Sequence, residues 1–324
     1  MNINELLSKI RNARVGILGD FCLDVYWKAD MKRSQLSRET PHYPLPVVEE
    51  RMSPGGAGNV AANAAALGAK VTAIGIVGSD WRGNALVNAL NEHGISADTL
   101  IQANDRVTNT YIKPLRAGIS DVVYEDPRLD FENYELPDEA TEQALIDVLL
   151  KTAPDLDVLC VCDQMQYGSV TPKIRETVSK LAENGLPVFV DSRSRIGLYE
   201  HCIVKPNDVE AEAATGISDS EKAARFLSEK NGCPAIVTVG EHGCYVCENG
   251  NVVLRPARKV EPPVDFVGAG DTFLSGISCA YAAGAAITDA AMFANVASSI
   301  TVKKIGTTGT ASPDEMTRAW RDVE

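Results

Sequence analysis

In the short stretch GAGD, Gly268, Ala269 and Gly270 stand directly before Asp271, and the apolar run TFLSGISCAYA follows at once. Two kinds of chemistry fit these residue types in this order. Small residues and an acidic first turn cap a helix, because they suit its free N–H groups and its dipole. The same N–H groups bind an anion, while a carboxylate beside them takes a proton from a neighbouring hydroxyl. On these residues alone the two readings stand level.

Other segments carry similar ambiguity. SPGGAGN places Gly55, Gly56 and Gly58 ahead of an alanine-rich run, with Asn59 beside them. Glycine admits a close backbone approach to a ligand, and an amide both donates and accepts, yet a tight turn followed by small-residue packing explains the same letters. In KPNDVEAEAATG, Asn207 and Glu210 have the spacing of a capping box. An amide and a carboxylate at such a place also suit Mg²⁺, which keeps most of its waters and uses few protein ligands. TVGEHGCYV carries Thr238, Gly240 and Gly243 in a strand, turn, strand order, either a plain hairpin or a turn lying against a flat or anionic ligand. Neither a GxxxxGK[ST] loop nor a GxGxxG after the first strand is present, which disfavours P-loop and nicotinamide-dinucleotide chemistry. Cys244 and Cys247 form a C-x-x-C, but on a strand they point to opposite faces, and no second pair lies at zinc-like spacing.

Such residues act together only if a frame gathers them. β-Branched runs at 14–18, 70–78, 157–162, 187–191, 203–206 and 235–240 alternate with helical stretches such as NVAANAAALG and TPKIRETVSKLAENG, several ending in glycine. That alternation predicts an α/β fold with a mostly parallel sheet covered by helices on both faces. Ligands of such sheets bind beyond the carboxyl ends of the strands. Asp20 and Asp24 then follow the first strand, Asn207 and Glu210 follow IVKP, Gly240 and Gly243 follow AIVTV, and Gly268 to Asp271 follow VDFV, which reads as a strand. Segments 25–52 and 107–131 break the rhythm with proline-punctuated and strand-like pieces. They predict a small antiparallel sheet, a lid inserted into one domain spanning 1–324.

Composition narrows the function classes. The chain has 324 residues, 45% of them hydrophobic and 23% charged, as expected of a globular protein. A net charge of −13 argues against a nucleic-acid partner. No apolar run has bilayer length, and the first residues lack the pattern of a secretory signal, so no membrane association is expected and the cytoplasm is the expected location.

In sequence order, these segments resemble the ribokinase-like (PfkB-type) carbohydrate kinases along nearly the whole chain. PGGAGNVAANAAALGAKVTAIGIVGSD is similar to the first signature of that family, and VDFVGAGDTFLSGISCAYAAG to the second and more specific one. KPNDVEA, TVGEHGCYV and FANVASSITVKKIGT resemble its N-x-x-E motif, nucleotide-loop strand pair and terminal segment beside the base. Within the family, GDFCLDVYW, PLPVV and PRLDFEN are most similar to the heptose-7-phosphate kinases.

The resemblance implies a ribokinase-like doubly wound sheet with a β lid. It also implies transfer of the γ-phosphoryl group of ATP, with Mg²⁺, to a hydroxyl of a sugar or sugar phosphate. Asp271 would be the catalytic base, ionised near an ordinary pKa, and the N–H groups of Gly268, Ala269 and Gly270 the anion hole. Asn207 and Glu210 would organise phosphate and Mg²⁺, Glu210 through water, while Thr238, Gly240, Gly243 and Asn295 line the ATP site. Asp24, Gly55, Gly56 and Asn59 would touch the sugar, and Asp265 with the Val267 carbonyl would hold K⁺, although Phe266 stands between them where small polar residues are frequent. A homodimer through the lid is implied as well. One segment departs: the heptose kinases carry D-Y-x-K-G after a central strand, where this chain has DQMQYGSV from Asp163, without the lysine. Either Arg193 or Arg195 replaces that cation, or the acceptor carries no phosphate. A nucleoside kinase of the same fold and a catalytically silent sugar- or nucleotide-binding protein are the alternatives.

Overall fold

A computed structural model describes residues 2–306 and 308–321. From the amino end run helix α1 (Ile3–Ile10), strands β1 (Arg14–Gly19), β2 (Phe21–Asp30) and β3 (Val47–Gly56), then α2 (Ala57–Ala66), β4 (Lys70–Gly78) and α3 (Trp81–Glu92). Strands β5 (Leu100–Ala103), β6 (Thr110–Ala117), β7 (Tyr124–Glu125) and β8 (Leu129–Phe131) follow, then helix α4 (Glu139–Thr152). Next come β9 (Val158–Asp163), α5 (Pro172–Glu183), β10 (Val188–Ser192), β11 (Ile203–Val204), α6 (Asp208–Thr215) and α7 (Ser220–Asn231). Strands β12 (Ala235–Thr238), β13 (Cys244–Glu248) and β14 (Asn251–Arg255) precede the last helices, α8 (Ala269–Ala282), α9 (Ile287–Thr301) and α10 (Pro313–Trp320).

The large sheet has the order β14-β13-β12-β11-β10-β9-β1-β4-β5. It is parallel except where β13 pairs with β12 and β14. Residues of its strands point alternately to two cores, as the pleat requires. Val158, Cys160 and Cys162 join the core under α1, α2, α8 and α9, while Leu159 and Val161 join the one under α4, α5 and α7. Cys244 and Cys247 divide between the same two cores, so the C-x-x-C is packing material. Each fully buried aliphatic side chain in these layers contributes about 1.5–3 kcal/mol.

The predicted lid is a second sheet, ordered β3-β2-β6-β7 with β8 beside β6. Its strands reach from Phe21 to Gly56, beyond the expected 25–52. One pairing differs from the antiparallel expectation: β2 and β6 run parallel. The chain passes through β4, α3 and β5 of the large sheet before entering β6, and so returns from the same end. A second correction concerns VDFV, which is not a strand. Pro262 and Pro263 supply no N–H, and the bonds of the segment go elsewhere: Asp265 N donates to Val302 O at 2.8 Å, and Gly306 N to the Asp265 carboxylate at 3.0 Å. IVKP is a strand only at Ile203–Val204, although Lys205 N still donates to Val190 O at 2.8 Å. Among the described residues, no helix is long and apolar enough to cross a membrane.

Candidate active site

The amino end of α8 is built by Gly268, whose φ of +80° is a left-handed conformation that favours glycine. A side chain there would also press on Thr308 at 3.2 Å. Beside Gly270 lies open space, with nothing within 4 Å of where a Cβ would be. First-turn N–H groups have no acceptor inside their helix. That of Ala269 donates to Phe266 O at 3.1 Å and closes the turn into α8, so contrary to expectation it is not a free anion-hole donor; among the described residues the amides of Gly268 and Gly270 have no main-chain acceptor.

Asp271 lies one step further on, deep among protein atoms yet with part of its surface open. Helix α2 positions it. Ser275 Oγ donates to Val60 O at 2.8 Å and Thr272 Oγ1 to Asn63 Oδ1 at 3.1 Å, locking α8 against α2 so that the buried Asn59 side chain meets the Asp271 carboxylate. Burial is the main reason that Asp271 is pushed up to about 7, with Asp191 adding to it. Lys205 and the Asn59 hydrogen bond act the other way, and Asp24 adds a smaller upward push. The expectation of an ordinary pKa was therefore incomplete: loss of solvent outweighs the helix dipole.

Sequence reasoning missed Lys205. It is 3% exposed, and its Nζ lies 3.2 Å from Asp191 Oδ2, with Glu210 and Asp271 also within its field. Asn207 and Glu210 do form the capping box: Asn207 N donates to Glu210 Oε2 at 2.9 Å, and Glu210 N to Asn207 Oδ1 at 2.8 Å. The half-buried Glu210 carboxylate faces Asp191, Lys205 and Arg193 besides, and burial raises its pKa. Thr238 bridges to Asn207, its N–H donating to Pro206 O at 3.0 Å. Gly243 has a φ of +101°, and a Cβ on it would overlap Arg255 O at 2.0 Å, so the turn from Gly240 needs glycine there. Asn295 donates its amide to Arg255 O and Pro256 O at 3.0 and 3.2 Å, which pins the end of β14 beside that turn.

On the lid side, Asp24 is buried against Gly55, where a Cβ would come within 2.6 Å of the carboxylate. Gly56, at φ +56°, leaves room for Asp20 O. In register, Tyr26 of β2 pairs with Arg51 on β3 and Lys113 on β6, so all share a face with Asp24. Arg51 stacks on the Tyr26 ring at 4.1 Å, Lys113 donates to Tyr26 Oη at 3.2 Å, and Arg128 stacks on Tyr111 at 4.2 Å. Burial raises the pKa of Asp24, and these three cations oppose the rise. A separate pocket of 470 Å³ lined by Arg14, Lys70, Thr72 and Ser96 opens at the amino ends of β1 and β4, the wrong pole for this chemistry.

Residues 23–315 match the pfkB family of carbohydrate kinases. The chain belongs to that family. It is 33% identical over 323 residues to the bifunctional protein HldE of Citrifermentans bemidjiense, covering 97% of its own length but 64% of that protein. HldE of Hyphomonas neptunium is 34% identical, with 98% and 65% covered. Phosphofructokinase-2 from Escherichia coli, solved with substrates and products, superposes with a TM-score of 0.72 at 20% identity, over 96% of this chain and 99% of that one. At that identity the likeness establishes the fold alone, which is the ribokinase-like one expected.

This pfkB-family chain handles its departing segment in its own way. Asp163, at the end of β9, is wholly buried and takes Arg195 as its counter-ion through Nε at 3.0 Å and through Nη2. Tyr199 and Ser192 also donate to it, at 2.8 and 3.0 Å. Arg195 is thus committed to Asp163 and does not replace the absent lysine. Arg193, on the surface, lies toward Glu210. Asp265 accepts from Val267 N at 3.1 Å as well as from Gly306 N, and among the described residues no group of three or more His, Cys, Asp or Glu is arranged to hold a metal.

Proposed function

We propose that the chain transfers the γ-phosphoryl group of ATP to a hydroxyl of a sugar or sugar phosphate, with Asp271 as general base. What carries this reading is the convergence at one helix end of a partly open carboxylate, free first-turn amides and the Lys205–Asp191 pair. Phosphoryl transfer passes through a loose transition state, so positioning and charge stabilisation do most of the work. The amides of Gly268 and Gly270 meet charge on the transferring group without reorganising, and Asp271 takes the hydroxyl proton as the new bond forms. Gly55, Gly56, Asn59 and Asp24 orient the acceptor; Thr238, Gly240, Gly243 and Asn295 shape the nucleotide side.

Few, hard oxygen donors suit Mg²⁺, and Glu210 supplies one, with Asn207 holding its orientation. When bound, Mg²⁺ neutralises charge shared across the phosphates. Glu210→Gln is expected to raise the Mg²⁺ concentration for half-maximal turnover about tenfold, as loss of a water-mediated ligand does. An unchanged Mg²⁺ titration counts against this role. The same reading puts K⁺ at Asp265 and the Val267 carbonyl.

The lid excludes water that would otherwise accept the phosphoryl group. Its cations also speak to the acceptor. Arg51, Lys113 and Arg128 gather about Asp24 in a chain of net charge −13, and although Asp130 holds Arg128 through two 2.6 Å hydrogen bonds, this cluster suits an acceptor already bearing a phosphate. The function is tested by ADP release with ATP, Mg²⁺ and a panel of neutral sugars, sugar phosphates and nucleosides. Lys113→Met and Arg128→Met should each raise KM about tenfold for the best sugar phosphate and leave a neutral sugar nearly unaffected. Equal effects on both would assign the cations to the lid alone, and turnover of adenosine in preference to sugars would favour the nucleoside-kinase reading.

Val47, Val48, Val122, Val123, Tyr124 and Leu129 are half exposed on the lid strands and the loops beside them, an apolar surface of the kind that marks an interface. A second copy of the chain, pairing lid to lid, is the partner we assign to it. All eight cysteines are free, which suits the reducing cytoplasm.

A further inference from the structure

Arg51 belongs to β3 of the lid, yet its guanidinium reaches out of that sheet. Its Nη2 donates to Gly306 O at 3.2 Å, in the loop that follows α9. The amide of Gly306 in turn donates to Asp265 Oδ2 at 3.0 Å, and the other oxygen of that carboxylate accepts from Val267 N at 3.1 Å. Val267 is directly followed by Gly268, the first donor of the proposed anion hole. A relay of hydrogen bonds thus runs from the lid to the residue ahead of that hole. Gly306 is held on both sides, its N–H by Asp265 and its C=O by Arg51, at a φ of +72° that favours glycine. At the other end Arg51 stacks on the Tyr26 ring at 4.1 Å, and Tyr26 shares a face with Asp24, where the acceptor belongs. The root of the lid is already tied, Ala57 N donating to Asp20 O at 2.9 Å, so the Arg51 bond is a second attachment further along β3.

Resting on the kinase reading, we propose that Arg51 is a positioning residue that couples the two halves of the site: an acceptor that seats the lid also sets, through Gly306 and Asp265, the amides that receive the transferring group. Anion-hole donors help most when they already point to where charge develops. With the lid lifted, the carbonyl of Gly306 loses the Arg51 donor and the turn at Val267 and Gly268 loses that support. With the lid seated, the relay is complete. The hole is then best formed when a hydroxyl is present and least formed when water alone is there to take the phosphoryl group. Arginine suits the position because its planar fork stacks on a ring and donates at the same time. A single, partly exposed hydrogen bond carries a modest coupling, so about tenfold is expected rather than an on-off switch. By linkage, nucleotide must tighten the acceptor by the same factor.

The test reads coupling rather than turnover. Calorimetry measures the affinity of a non-hydrolysable ATP analogue with Mg²⁺, alone and with a saturating amount of the sugar or sugar phosphate that turns over fastest in the panel, for the wild type, Arg51→Met and Arg51→Lys. In the wild type the acceptor should tighten the analogue about tenfold, in Arg51→Met less than about twofold, while the analogue alone binds all three proteins within about twofold. Saturation removes any loss of acceptor affinity from the comparison. Arg51→Lys keeps a cation for the acceptor but lacks the fork that stacks on Tyr26 while donating to Gly306 O, so its coupling should fall with that of Arg51→Met. Hydrogen exchange at the Val267 and Gly306 amides should slow when the acceptor is added to the wild type and stay unaltered in both variants. A wild type without coupling, coupling retained in Arg51→Met, or coupling restored in full by Arg51→Lys each overturns the proposal. A wild type that turns over no sugar or sugar phosphate defeats the kinase reading itself, whereas an active wild type with undiminished coupling in Arg51→Met defeats only the link through Arg51.

Discussion

Asp271→Asn should reduce kcat by about 10²-fold or more while ATP affinity changes little, the loss expected when a general base is removed. Asparagine keeps the shape of the carboxylate and can still meet the Asn59 side chain, so α8 and its free amides stay in place. What disappears is the capacity to accept a proton. Steady-state ADP release and calorimetric ATP binding check the two halves separately, and near-wild-type turnover would remove Asp271 from the role. The wild type should carry a matching pH signature. Asp271 is pushed up to about 7 in the free enzyme, chiefly by burial with Asp191 adding to it. Only the ionised form is a base, so kcat/KM should fall about tenfold per pH unit below that value and level off above it. Removing the Asp191 charge should shift this limb to lower pH, since one upward push on Asp271 is withdrawn.

The features legible in the sequence were those encoded locally. Alternating β-branched and helical runs are enough to imply the parallel sheet, and Gly268 to Asp271 stand out because small residues ahead of a carboxylate meet few packing needs. VDFV misled because its alternation imitates a strand, although Phe266 and Val267 are exposed and the segment bonds to residues 302–306 instead. The parallel pairing of β2 with β6 depends on a crossover through another sheet, which no local pattern records. Lys205 was invisible for a related reason: of the carboxylates that offset its burial, only Glu210 belongs to its own segment, while Asp191 and Asp271 come from elsewhere in the chain. The lid cations likewise come from Arg51, Lys113 and Arg128, which only the sheet register brings to Asp24. Arg195 shows the opposite failure. In sequence it is a free arginine near the site, but Asp163 is wholly buried, and an ionised buried carboxylate needs a counter-ion.

That demand makes Asp163→Ala the most disruptive substitution foreseen outside the reacting groups, with an expected loss of about 3–5 kcal/mol in unfolding free energy. The figure follows from what is left behind. Arg195 would keep its charge with its main partner gone, and the hydroxyls of Tyr199 and Ser192 would lose an acceptor in a place water does not reach. Replacing a whole buried network by well-packed hydrocarbon is often neutral, but removing the carboxylate alone orphans its partners. Asp163→Asn keeps an oxygen acceptor for Tyr199 and should fall between the two. Urea denaturation measures the loss, and a midpoint unchanged from the wild type would show that the arginine finds another partner or solvent. The damage should also reach the cleft. Arg195 Nη2 donates to Met165 O at 2.6 Å, and the same loop gives its amides at Gln164, Met165 and Ser169 to Asp20, at 2.8, 2.7 and 2.7 Å. Gly168 completes this fit, because a Cβ there would overlap the Asp20 carboxylate at 2.0 Å. Asp20 O in turn accepts from Ala57 N at 2.9 Å, at the start of the helix that carries Asn59. Loosening Asp163 therefore loosens, through Asp20, the helix whose side chain orients Asp271, and turnover should fall at temperatures where the variant is still folded.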